Sequence, residues 1–125
     1  MIQDGGLGDA TLPQPIATMA HSLGVDGTAS VITHYLDWAD AQLRRDLSEP
    51  ELLRDVAHAM RPSSEMLGLE QVAACCREIS GRFEQGEPVN ASLEAARLRA
   101  LVDDGMVVLR AFVARLGEPP RHPVP

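Results

Sequence analysis

Apolar and small residues recur along this chain at intervals of three and four, and no stretch alternates convincingly with period two. The clearest case is Leu52, Val56, Met60, Ser63 and Leu67, spaced four, four, three and four. That spacing draws one face of a helix. From Leu69 the residues Leu69, Val72, Cys76, Ile79 and Phe83 draw a second such seam, suited to bundle packing. Ile32, Tyr35, Leu36, Ala39 and Leu43 form a third, with Val31 and Trp38 to one side. Leu98, Leu101, Val102, Leu109, Phe112, Val113 and Leu116 form the last, interrupted by Gly105. Pro13 and Pro15 precede a shorter pattern, Ile16, Met19, Ala20 and Leu23, which Gly24 is suited to end.

Start signals fit these stripes. Asp26 or Thr28 can cap the helix running to about Leu47, and Ser48-Glu-Pro-Glu51 reads as a capping box opening the next. Asn90 can cap the last helix, and Gly117-Glu-Pro-Pro ends it. The expected fold is all-α: an antiparallel up-and-down four-helix bundle with a short N-terminal helix. Residues 1–11, rich in Gly and Asp, read as a disordered arm, 12–117 as the bundle, and 118–125 as a Pro-rich tail.

One histidine stands out by its phase. At 3.6 residues per turn, His58 lies about 160–200° from the apolar face of its helix, so it points away from the core. Arg61, Pro62 and Glu65 follow at +3, +4 and +7 on the same side. Pro62 falls within the helix, removes the bond to the carbonyl of residue 58 and costs ~3 kcal/mol in an isolated helix. A bend is expected there, or a break with Pro62 opening a new segment.

Composition narrows the function classes. The chain is 45% hydrophobic but only 3% aromatic, so the core must be aliphatic. A net charge of −7 argues against a nucleic-acid role, because phosphate backbones call for a basic face. No apolar run is long enough to span a membrane and no signal-peptide pattern opens the chain, so a cytoplasmic protein is expected. All 11 basic side chains are Arg, which we read as codon bias.

The segment His58-Ala-Met-Arg61-Pro62-Ser-Ser-Glu-Met-Leu-Gly68-Leu resembles the phosphorylation motif of histidine-containing phosphotransfer (HPt) domains. That motif usually reads His-x-Leu-Lys-Gly-Ser-x-x-x-x-Gly. The resemblance extends over roughly Leu12 to Leu116, but specific residues are confined to Ala57–Leu69. It implies that His58 accepts the phosphoryl group, that Arg61 stands where the family has Lys and stabilises the phosphoryl charge, and that Gly68 closes the motif. It implies relay of a phosphoryl group between receiver-domain aspartates in a two-component phosphorelay. The partners implied are the receiver domains of response regulators and hybrid kinases. Mg²⁺ belongs to the receiver, so no cofactor of its own is expected. Pro62 departs from the usual Gly. Pro62, Glu65 and Trp38 are the candidate partner contacts, and a monomer is expected.

Trp38 is open to two readings, as the edge of the core or as part of a semi-exposed apolar patch beside His58. The alternative function is a helical-bundle adaptor that binds a receiver or kinase without phosphotransfer, because Pro62 has distorted the acceptor helix. Other candidates are weaker. His34, Asp37 and Asp40 share a helical face, but a bundle metal site calls for Glu-x-x-His motifs on two helices, and none is present. Cys75 and Cys76 are adjacent, diverge by about 100° and read as reduced core residues. His21 and His122 have no partner at useful spacing.

Overall fold

A computed structural model describes residues 14–116. The expected arm at 1–11 and tail at 118–125 lie outside the described residues. The described residues form four helical elements: α1 (Gln14–Leu43), α2 (Pro50–Met66), α3 (Glu70–Glu84) and α4 (Ala91–Leu116). No strand occurs among the described residues. Each helix packs on its neighbour in sequence, α4 closes back onto α1, and α1 and α3 do not meet. The result is a four-helix bundle with α2 and α3 sharing the most extensive interface.

The core is aliphatic, as a chain poor in aromatics requires. Ile32, Leu36, Leu43, Leu53, Val56, Met60, Leu67, Val72, Ile79, Leu98, Val102 and Leu109 are all buried. On α2 the buried face is Leu53, Val56, Ala57, Met60 and Ser64, while Leu52 and Ser63 are only half-buried. The expected stripe holds at Val56, Met60 and Leu67 and is shifted by one residue at Leu52 and at Ser63. At the second position the reason is polar: Ser64 is held inside by hydrogen bonds, which spacing alone does not reveal.

Gly24 (φ 77, ψ 177) puts a non-helical joint inside α1. Two helical stretches meet there at a kink, the shorter one before Gly24 and the longer one after it. Thr28 is buried and its hydroxyl donates to the Gly24 carbonyl at 2.8 Å, which ties the first turn after the joint back to the glycine. α1 also stops at Leu43 instead of running to Leu47. A turn follows, in which Leu47 is tucked into the core.

The capping box does not form. Glu49 occupies the cap position of α2 without a side-chain bond. Both the amide and the hydroxyl of Ser48 donate to Asp46 Oδ1, which takes Ser48 away from the helix amides. These bonds hold the Asp46 carboxyl below the usual carboxylate range. Pro50, in the first turn, has no amide hydrogen that needs a partner. At α4 the expected cap is present: Asn90 Oδ1 accepts from the Leu93 amide at 3.1 Å.

Gly68 (φ 77) ends α2. The Leu69 amide donates to the Ser64 carbonyl at 2.8 Å and the Gly68 amide to the Glu65 carbonyl at 3.1 Å. This paired closure needs a left-handed residue between the two helices, which explains the glycine. Gly105 has a different role. A Cβ there would sit 3.3 Å from both Leu69 Cδ1 and Cδ2, so its bareness lets Leu69 pack on α4. What reads as an interruption of the last stripe is a packing site.

Candidate functional site

His58 sits at the midpoint of α2, with eight residues of the helix before it and eight after. It is exposed and makes no hydrogen bond among the described residues. The flanking Ala57 and Met60 are buried, which fixes the rotation of the helix and leaves the imidazole outward. His58 opens onto a groove of about 240 Å³ between α2 and α3. Arg54 and Asp55, one turn earlier on α2, line the same groove, and Ser80 and Glu84 line it from α3.

The other expected site residues fall around this centre as follows. Arg61 is half-buried, has no carboxylate partner among the described residues, and carries its charge close enough to α3 to favour the Cys76 thiolate. Pro62 is exposed, and α2 continues through it to Met66. The alternative in which Pro62 opens a new segment is thereby excluded. Its missing amide leaves the His58 carbonyl without the usual helical donor. Glu65 is paired with Arg77 of α3 at 2.9 Å, both side chains roughly half exposed. Such a pair is worth ~0–1 kcal/mol and would have to open for Glu65 to meet a partner.

Trp38 stands apart from His58. It packs on the core and tilts against Tyr35 at a ring-centroid distance of 6.2 Å. It lines a separate groove of about 220 Å³ with Val31, His34, Tyr35, Ser63 and Met66. The two grooves share no residue, so the tryptophan is both a core edge and part of an apolar surface, but that surface does not contain His58.

A buried polar bond fixes α2 against α1. Ser64 Oγ donates to the Met60 carbonyl at 2.8 Å, so its remaining lone pair accepts from the Tyr35 hydroxyl at 3.0 Å. Burial pushes the Tyr35 phenol up, partly offset by this bond. Behind the site, Cys75 and Cys76 are buried and unpaired. Burial pushes the Cys76 thiol up to about 12, so it stays protonated and unreactive at neutral pH.

A second ionic cluster escaped sequence reasoning. Glu94 is buried at the start of α4 and accepts from Arg82 at 2.9 Å and from Arg97 at 3.1 Å. Arg97 also binds Glu78 at 2.7 Å, tying α3 to α4. Every member has a partner, which identifies a structural clamp and not a site left open for a ligand. Arg54 could have been found from its spacing to His58, because four residues separate them. Ser80 and Glu84 could not, because their place depends on how α3 registers against α2.

His34 and Asp37 line an open groove with Asp26 on α1. Among the described residues, no group of three or more His, Cys, Asp or Glu side chains is placed to hold a metal ion. No helix among them is long and apolar enough to cross a membrane. Compared with known proteins, the chain matches no protein-family model, no curated protein and no solved structure.

Proposed function

We propose that the protein is a histidine phosphotransfer module of a two-component phosphorelay, with His58 as phospho-acceptor. The observation that carries this reading is an exposed imidazole at the midpoint of a bundle helix whose rotation is locked by buried neighbours. A neutral imidazole nitrogen is nucleophilic near neutral pH, where an amine would be protonated. In the proposed step a ring nitrogen attacks the phosphorus of a receiver aspartyl phosphate. The P–N bond forms, the P–O bond breaks, and its electron pair leaves on the aspartate. The reverse step loads the next receiver. The receiver supplies Mg²⁺, so this chain has only to present the ring and a cation. Arg61 is the cation proposed to steady the phosphoryl oxygens during transfer.

The helices are proposed to run alternately up and down, with the segment before Gly24 as a short N-terminal helix. Support comes from the connections, which are three residues between α2 and α3 and six at each of the other two turns. We further propose a cytoplasmic monomer that docks receiver domains over the exposed side of α2. The competing reading is an adaptor that binds without transfer. It is favoured by Pro62 and by the carboxylates of Asp55 and Glu84 in the His58 groove, which oppose an incoming phosphoryl group.

Incubation with phosphorylated receiver domains separates the two readings. Phosphotransfer predicts acid-labile, base-stable phosphate on wild type and none on His58→Gln, with equal stability for both because the side chain is exposed. Phosphate retained by the His58→Gln variant would move the site elsewhere. Receiver binding with no phosphate on wild type would establish the adaptor.

A further inference from the structure

Charges of both signs border the His58 groove. Arg54 approaches it from α2 and Glu84 from α3. Glu84 has no ion-pair partner among the described residues, and Arg54 meets only the neighbouring Asp55, at 3.8 Å. Of the nearby ions, Glu65 and Arg77 neutralise each other, and Arg61 does not line the groove. Ser80, the remaining lining residue, is uncharged.

We propose that Arg54 and Glu84 act as an opposed pair that sets how long His58 keeps a phosphoryl group, Arg54 prolonging the phosphohistidine and Glu84 shortening it. The inference rests on the phosphotransfer reading for its purpose, though not for its chemistry. A phosphoryl group carries roughly two negative charges near neutral pH. In hydrolysis a water oxygen attacks phosphorus and the P–N bond breaks. The electron pair returns to the ring nitrogen and inorganic phosphate departs. Protonation of the ring makes the imidazole a better leaving group. Glu84 repels the phosphoryl dianion, so it hastens cleavage. Arg54 attracts the dianion and slows it. With Asp55 beside it, the groove is a poor place to store phosphate and a suitable one from which to pass it on.

The test needs no knowledge of the receiver. Phosphoramidate transfers its phosphoryl group to exposed imidazoles, with ammonia as the leaving group, so His58 and His34 can both be loaded on the full chain. His34 lies in other grooves and serves as an internal comparator. Half-lives at each histidine are followed by phosphorus NMR and site mapping. Glu84→Gln should lengthen the His58 half-life about threefold and Arg54→Gln should shorten it about threefold, both effects shrinking as salt is added. The His34 half-life should not move in either variant. Unchanged His58 half-lives, or shifts in the same direction for both variants, would overturn the opposed pair. Failure of every phosphorylated receiver to load His58, with the half-lives still diverging, would overturn the relay reading and leave the pair standing.

Discussion

The Tyr35–Ser64 hydrogen bond is the point at which fold and site are most tightly joined, and its removal has a calculable signature. Ser64 is fully buried and lies six residues beyond His58 on the same helix. Ser64→Ala leaves the Tyr35 hydroxyl buried without a partner, a loss of about 2 kcal/mol. Alanine returns roughly 0.5 kcal/mol through helix propensity. The net is about 1.5 kcal/mol, or roughly 6–7 °C in Tm for a domain of this size. Tyr35→Phe removes the donor itself while Ser64 keeps the Met60 carbonyl, so it should cost only about 1 kcal/mol. The double variant leaves no orphaned polar group and should be no worse than about 1 kcal/mol. The coupling is therefore about 1.5 kcal/mol, well above the ~0.3–0.5 kcal/mol expected of independent sites. Urea titrations followed by helical circular dichroism on the four proteins measure it. Additivity within ~0.3 kcal/mol would refute the bond and the account of how α2 is rotationally fixed.

Three further outcomes are expected. Arg61→Ala should slow transfer from a phosphorylated receiver about tenfold and Arg61→Lys should largely restore it; equal rates in a rapid-quench assay would assign Arg61 to the solvated face. Gly68→Ala should cost about 1 kcal/mol, because the left-handed backbone at φ 77 penalises a Cβ, and Gly68→Asn should cost less, both read from denaturation midpoints. Stability should fall as pH rises above the thiol's ordinary 9.0, because the unfolded chain ionises Cys76 there while the folded chain holds its proton to about 12. The unfolded state then binds fewer protons than the folded one, so the slope is negative, about 1 kcal/mol by pH 10. Cys76→Ala should reduce that slope and leave the part due to Cys75, whose thiol burial also pushes up.

The fold was legible where apolar spacing alone decides the outcome. The four stripes correspond to four helices, and the outward phase of His58 follows from the spacing of Val56 and Met60 on either side. Asn90 was legible as a cap because nothing nearby competes for its side chain. Ser48 was not, because its amide and hydroxyl both donate to Asp46 Oδ1, which draws the side chain away from the helix amides. Gly105 looked like a weakness because sequence cannot show that Leu69 needs the space. The same holds at the site. Arg61, Pro62 and Glu65 share the His58 helix, so their placement required only a helical wheel. Ser80, Glu84 and the pairing of Glu65 with Arg77 depend on the register of α3, which no single-helix pattern encodes.

The three departures from simple helix rules in this segment act together on one ring. Pro62 removes the donor for the His58 carbonyl and, alone, would let the helix bend where the ring is attached. Ser64, two residues on, bonds back to the Met60 carbonyl and out to Tyr35, pinning the same turn to α1. Gly68 then closes the helix on Ser64 and Glu65 and delivers the chain directly into α3. The turn after His58 is thus loosened on its solvent side and anchored on its core side. A residue at position 62 could vary with little effect on the fold, since it faces solvent, but with direct effect on whatever docks over His58. That asymmetry is why the proline can sit beside a proposed acceptor without a break in α2, and why Pro62→Gly should alter partner ranking across a panel of receivers more than it alters stability.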